Sequence, residues 1–85
     1  MHIEATETFL RLFQSMTTDI RDRAKKVLEL LSIDPSHPSL GHKKMAGQSD
    51  LFELRVSQNY RITYQKAGDT AHLRKIGTHD HLRRP

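Results

Sequence analysis

Residues 51–82 read LFELRVSQNYRITYQKAGDTAHLRKIGTHDHL, and the fold follows from how this stretch is punctuated. Three runs rich in strand formers occupy 51–56, 60–66 and 70–76. They are separated by Ser57-Gln58-Asn59 and Ala67-Gly68-Asp69. Breaks this short between strand-like runs make hairpins, so the spacing predicts an antiparallel three-stranded meander. Strand side chains alternate between faces with period two. Phe52, Leu54 and Val56 then share one face, Tyr60, Ile62 and Tyr64 a second, and Ala71 and Leu73 a third. Arg55, Arg61 and Arg74 each oppose the apolar residues of their own run. If the apolar faces meet one core, the three arginines gather on the other side. Ile76 falls on the arginine parity, which requires a bulge in the third run or partial cover over the second face.

Upstream, the period changes from two to 3.6. Ile20, Ala24, Val27, Leu28 and Leu31 form one apolar stripe, the pattern of a helix laid on a core. Thr18 is placed to cap it, and Asp19 and Asp22 suit its positive N-terminal end. Its basic residues alternate with acids and no second helix-turn-helix element is nearby, so it reads as a scaffold helix. A first helix is expected over 6–15, with Thr6 as N-cap and Phe9, Leu10, Leu12 and Phe13 at helical spacing. His2-Ile3-Glu4 is suited to an added edge strand. Asp34-Pro35-Ser36-His37-Pro38 ends the second helix, because two prolines so close forbid both helix and central strand. Residues 39–49 then form an irregular connection carrying His42, Lys43 and Lys44, bracketed by Gly41 and Gly47. Residues 1–85 are thus expected to form a single α+β domain. An N-terminal helical hairpin packs on one face of a small antiparallel β-sheet, a three-stranded meander with a short N-terminal edge strand.

Composition narrows the function classes. With 85 residues and 35% hydrophobic composition, the domain is small and its core limited. There is no cysteine to add a disulfide, which suits a reducing compartment. No apolar run approaches the ~20 residues of a membrane span, and the start lacks a signal-peptide pattern. The chain therefore reads as a soluble cytoplasmic protein. The net charge of +4 is uneven. Residues 1–41 hold five Lys/Arg and six Asp/Glu, whereas 42–85 hold nine and four, so the halves carry −1 and +5. An excess of that sign on one part favours a polyanion, nucleic acid first. A solvated basic surface is the plainer alternative. No Walker or Rossmann glycine pattern is present. His79-Asp80-His81 lacks a third ligand at a recognised spacing, so no metal site is expected.

In their order, several segments resemble one family. They are Pro35-Ser36-His37-Pro38-Ser39-Leu40, Lys43-Lys44-Met45-Ala46-Gly47, Leu51-Phe52-Glu53-Leu54-Arg55-Val56, Asn59-Tyr60-Arg61-Ile62 and Ile76-Gly77-Thr78-His79-Asp80. Together they resemble the RelE/ParE superfamily of toxins from type II toxin–antitoxin systems, over nearly the whole chain. RelE-like members are ribosome-dependent mRNA endonucleases that block translation. ParE-like members share the fold and inhibit DNA gyrase. Both are neutralised by a small antitoxin.

The resemblance implies residue roles. RelE-like cleavage is a metal-free transesterification in which the ribose 2′-OH attacks the adjacent phosphate. It needs a base, a cation for the developing phosphorane charge and an acid for the leaving 5′-oxygen. Arg55 and Arg61 match positions that hold the scissile phosphate, and guanidinium forks suit that contact. His79 matches the C-terminal catalytic position and can act as acid or base near neutral pH. Lys43 and Lys44 match a basic loop assigned to phosphate binding, with Lys43 or His42 as proton acceptor. Arg74 is placed to line the same groove. Many nucleases of the family carry a Tyr or Phe shortly after the position of His79. Here His81 is the residue available to stack, and Leu51 and Glu53 stand where some members are basic. Three functions are consistent with this pattern: an mRNA endoribonuclease toxin, a gyrase-inhibiting toxin, and a toxin-fold binding protein without catalysis. In each, an antitoxin with an acidic amphipathic segment is the expected protein partner. Without the family, Arg55 would as readily form a cross-strand pair with Glu53 or Asp69.

Overall fold

The computed structural model describes residues 1–45, 47 and 50–83, with the side chains of His81 and Arg83 outside that description. The elements run β1 (His2–Ala5), α1 (Glu7–Ser15), α2 (Thr18–Ile33), a 3₁₀ turn (Pro38–Leu40), β2 (Lys43–Lys44), β3 (Leu51–Arg55), β4 (Tyr60–Ala67), β5 (Thr70–Thr78) and α3 (His79–Arg83). One sheet contains all five strands in the order β1-β5-β4-β3-β2. The β3-β4-β5 meander is antiparallel, as the turn spacing predicts. β1 joins β5 in parallel, so the sheet is mixed. β2 is an addition: Lys43 and Lys44 lie in the segment expected to be irregular, yet pair antiparallel with Glu53 and Phe52.

The two helices pack on one face. Thr6 is extended and its Oγ1 accepts the Phe9 N–H at 3.1 Å, capping α1. The same hydroxyl donates to the Leu73 carbonyl of β5 at 2.8 Å, so the cap also ties helix to sheet. Phe9 is buried, and Leu12 and Phe13 are half-buried beside it. Leu10 is 47% exposed, because a residue next to Phe9 on a helix is rotated about 100° off the buried stripe. The cap of α2 lies one residue earlier than predicted. Thr17 accepts the Ile20 N–H at 3.3 Å. Thr18 is already helical, and its hydroxyl meets the Arg21 guanidinium instead. Ile20, Ala24 and Leu31 are buried, with Val27 and Leu28 at the margin.

The parity of Ile76 is resolved by a bulge at Arg74. Thr63 pairs with Lys75 and Tyr64 with Leu73, leaving Arg74 unopposed. The extra residue resets the alternation, so Leu73 and Ile76 both reach the helix-side core, Ile76 at 1% exposure. The opposite face is partly covered as well. α3 contacts β5 and β4. Its Leu82 is buried outside the main cluster, and Glu53 and Thr63 are buried despite their polarity. No helix among the described residues is long and apolar enough to cross a membrane.

Candidate functional site

The outer face, away from α1 and α2, is built from two cross-strand rows. Lys43, Glu53, Thr63 and Lys75 are aligned in one, and Arg55, Arg61 and Gly77 in the next. Directly opposite residues share a face, so the register places Lys43 beside Glu53 and Arg55 beside Arg61. Sequence alternation anticipates the arginines but not the part played by Glu53. Its side chain is 8% exposed, and its Oε1 lies 3.6 Å from Arg61 Nε and 3.4 Å from His79 Nδ1. That nitrogen of His79 is buried and too far out of line for a hydrogen bond.

Arg61 is held on several sides. Its Nη1 donates to the carbonyls of Ser57, Gln58 (3.0 Å) and Tyr60 (3.0 Å), capping the β3–β4 turn. The same turn receives the His79 backbone N–H at Asn59 O, 2.9 Å away. Arg61 therefore supports His79 by two routes, through Glu53 and through the turn. Nη2 of Arg61 makes no hydrogen bond among the described residues. Arg55, by contrast, is exposed and has no hydrogen-bond or ion-pair partner among the described residues. The alternative pairing of Arg55 with Glu53 or Asp69 does not form. Two arginines in direct register, one of them unpaired, form a cross-strand repulsion that an anion would relieve. Gly41 makes room beside Arg55: its φ is +56°, and an added Cβ would sit 3.0 Å from Arg55 Cβ.

Arg55, Arg61, His79 and Lys43 are thus brought to the outer face. Arg74 stands apart from the other two arginines. The bulge removes it from the ladder and its Nη1 donates to Gln65 Oε1 at 2.9 Å. Gln65 is four residues along β4 from Arg61, roughly 13 Å at strand rise. Lys44 pairs with Phe52, which puts it on the helix side. His42 is on that side too: its Nε2 is hydrogen-bonded to the Tyr64 hydroxyl, and its ring lies edge-on to Phe52 and Tyr64 at 5.8 and 5.5 Å. Burial holds the His42 imidazole below its usual pKa, with the Lys66 ammonium adding to the effect and a hydrogen bond at Pro35 opposing it. Burial also raises the Tyr64 phenol. The His81 side chain, expected as a stacking residue, lies outside the described residues, as do Ala46, Gln48, Ser49, Arg84 and Pro85.

This arrangement can be set beside known proteins. The family model for the ParE-like toxin domain matches residues 18–83. The chain belongs to the ParE-like toxin family. No curated protein sequence matches this ParE-like domain, but solved structures do. The RelB–RelE antitoxin–toxin complex of Methanococcus jannaschii gives a TM-score of 0.79 at 24% identity, covering 95% of each chain. The Escherichia coli DinJ–YafQ toxin–antitoxin complex gives 0.78 at 15% identity, covering 94% of this chain and 93% of that one. The intact E. coli RelBE complex gives 0.74 at 20% identity, covering 91% and 94%. At these identities the likeness is one of fold, two helices packed on a mixed sheet.

Proposed function

We propose that this ParE-like toxin domain is the endoribonuclease toxin of a type II toxin–antitoxin module, cutting mRNA on the cytoplasmic ribosome. The observation that carries the reading is the pairing of unpartnered Arg55 with Arg61 beside His79 on one sheet face. Arg55 would take the scissile phosphate, with the guanidinium of Arg61 behind it. The 2′-oxygen would bond to phosphorus as the P–O5′ bond breaks, giving a 2′,3′-cyclic phosphate and a 5′-hydroxyl. One group must accept the 2′-OH proton and another must protonate O5′. His79 and Lys43 are the candidates on this face. A proton on Nδ1, turned toward Glu53, would leave His79 Nε2 to exchange protons with substrate. The relatives solved as toxin–antitoxin complexes support a cognate antitoxin as partner, its acidic segment matched to this cationic face.

The test is primer extension on ribosomes translating one defined mRNA. Wild type should give discrete new 5′ ends, and His79→Ala should lower the cleavage rate by about 10²- to 10⁴-fold, the usual weight of general acid–base catalysis. Equal cleavage by the two proteins would remove His79 from the chemistry. A second reading, gyrase inhibition, is favoured by the ParE-like family description and by the commitment of Arg61 Nη1 to the turn. A folded wild type that makes no cuts but blocks DNA supercoiling would select it. Inactivity in both assays would leave a binding protein.

A further inference from the structure

Cations without partners are not confined to the outer face. On the helix side, Phe52 and Tyr64 stack with ring centres 5.4 Å apart, and His42 closes edge-on against both. These three rings, with Lys44, Lys66 and Asp69 among their neighbours, line a half-open cavity of about 320 Å³. Lys44 and Lys66 are exposed and form no ion pair among the described residues. They outnumber the single carboxylate, Asp69.

The strand between the two faces is short. β2 is a sheet edge two residues long, and its residues point to opposite sides. Lys43 is in register with Glu53 on the outer face and Lys44 with Phe52 on the inner one. The edge thus carries a cation on each side. A polyanion lying on the outer face can turn over it without leaving positive potential.

We propose that the cavity behind β2 is a second RNA subsite, which rests on the reading of the outer face as the RNA-binding one. A nucleotide flanking the cleaved one passes over the β2 edge. Its base stacks against Phe52 and His42, and its phosphates lie against Lys44 and Lys66. Every base offers a π-face, so such a subsite adds affinity with little sequence preference. An acidic peptide would use the lysines but leave the ring faces without a stacking partner.

The experiment measures fluorescence anisotropy of single-stranded 2′-O-methyl RNA, which cannot undergo 2′-OH attack, with the full chain. A trinucleotide is compared with an oligonucleotide of about ten nucleotides, within the span of small single-strand-binding domains. The Lys44→Gln/Lys66→Gln double variant should bind the longer RNA roughly ten-fold more weakly. Its salt slope should fall by about 1.4, two phosphate contacts at ~0.7 each. Its trinucleotide affinity should match wild type. Phe52→Leu should weaken the longer RNA without changing the salt slope. Arg55→Gln should weaken both RNAs. If Arg55→Gln weakens binding but the lysine variant binds both lengths like wild type, the second subsite is overturned and the outer-face reading stands. If wild type binds neither RNA, both fail. If the lysine variant loses only the stabilisation given by an acidic antitoxin peptide, the cavity serves a protein and the proposal is overturned.

Discussion

The two faces of this sheet share the same strands and are held by different physics. On the helix side, Leu54, Ile62, Leu73 and Ile76 are buried against Phe9, Ala24 and Leu31. Burial of this kind is non-directional and needs only apolar volume in the right place. On the outer side, buried Glu53 meets half-buried Arg61 and His79 in a small polar group, where geometry and not only volume matters. Neighbours in one strand therefore obey different rules. Leu54 is fixed by packing, Glu53 by its contacts with Arg61 and His79, and Arg55 by neither.

Substitutions in β3 test this contrast directly. Leu54→Ala should cost about 2–5 kcal/mol, the range for emptying a well-packed core site. Arg55→Gln should stay within about 0.5 kcal/mol of wild type, as an exposed residue without partners should. Urea unfolding of both variants is the measurement, and similar midpoints would erase the distinction between the faces. Glu53→Ala comes next, at about 1–3 kcal/mol, because it strips Arg61 of its carboxylate in a site with little water. It should also slow RNA cleavage more than it lowers binding, since His79 loses the carboxylate 3.4 Å from its Nδ1. A variant as stable and as active as wild type would show that Glu53 organises nothing. Thr6→Ala should cost about 1 kcal/mol, the usual loss of an N-cap. A much larger loss would assign further weight to the Thr6–Leu73 tie.

The smallest effect is in pH dependence, and it concerns the helix side alone. His42 has a depressed pKa in the fold, so the unfolded chain binds its proton first. Its contribution is fully present above the unfolded value of ~6.5 and is lost as pH falls through that value toward the lower folded one. Wild type should therefore lose more stability than His42→Gln on acidification from about pH 7.5 to 5.5. Equal losses would mean that His42 is as free to protonate in the fold as in the unfolded chain. Taking the difference between the two proteins cancels the other histidines.

Some of this was readable because it is local. The meander follows from Ser57-Gln58-Asn59 and Ala67-Gly68-Asp69 between strand formers, and α2 follows from Ile20, Ala24 and Leu31 at helical spacing. The anomaly at Ile76 announced an irregularity, although not its position at Arg74. Other features left no local signal. Lys43 and Lys44 have poor strand propensity and become a strand only because β3 offers a free edge. The choice of Thr17 over Thr18 as cap turns on one residue of phase. Glu53 was visible as a residue on the parity of Arg55 and Arg61. Its burial depends on α3 folding back from the end of β5, some twenty-six residues later in the chain.

The sequence by itself determined the α+β class, the helical hairpin, the antiparallel meander and the side of the sheet that Arg55 and Arg61 occupy. Periodicity and turn chemistry act over a few residues, so the chain states them directly. Tertiary structure decided the parallel seat of β1, the edge strand β2 and the division of Lys43 from Lys44. It also decided the separation of Arg74 from the other arginines and the meeting of Glu53, Arg61 and His79. Each of these depends on pairing between segments far apart in sequence, whose register is set by the packed whole.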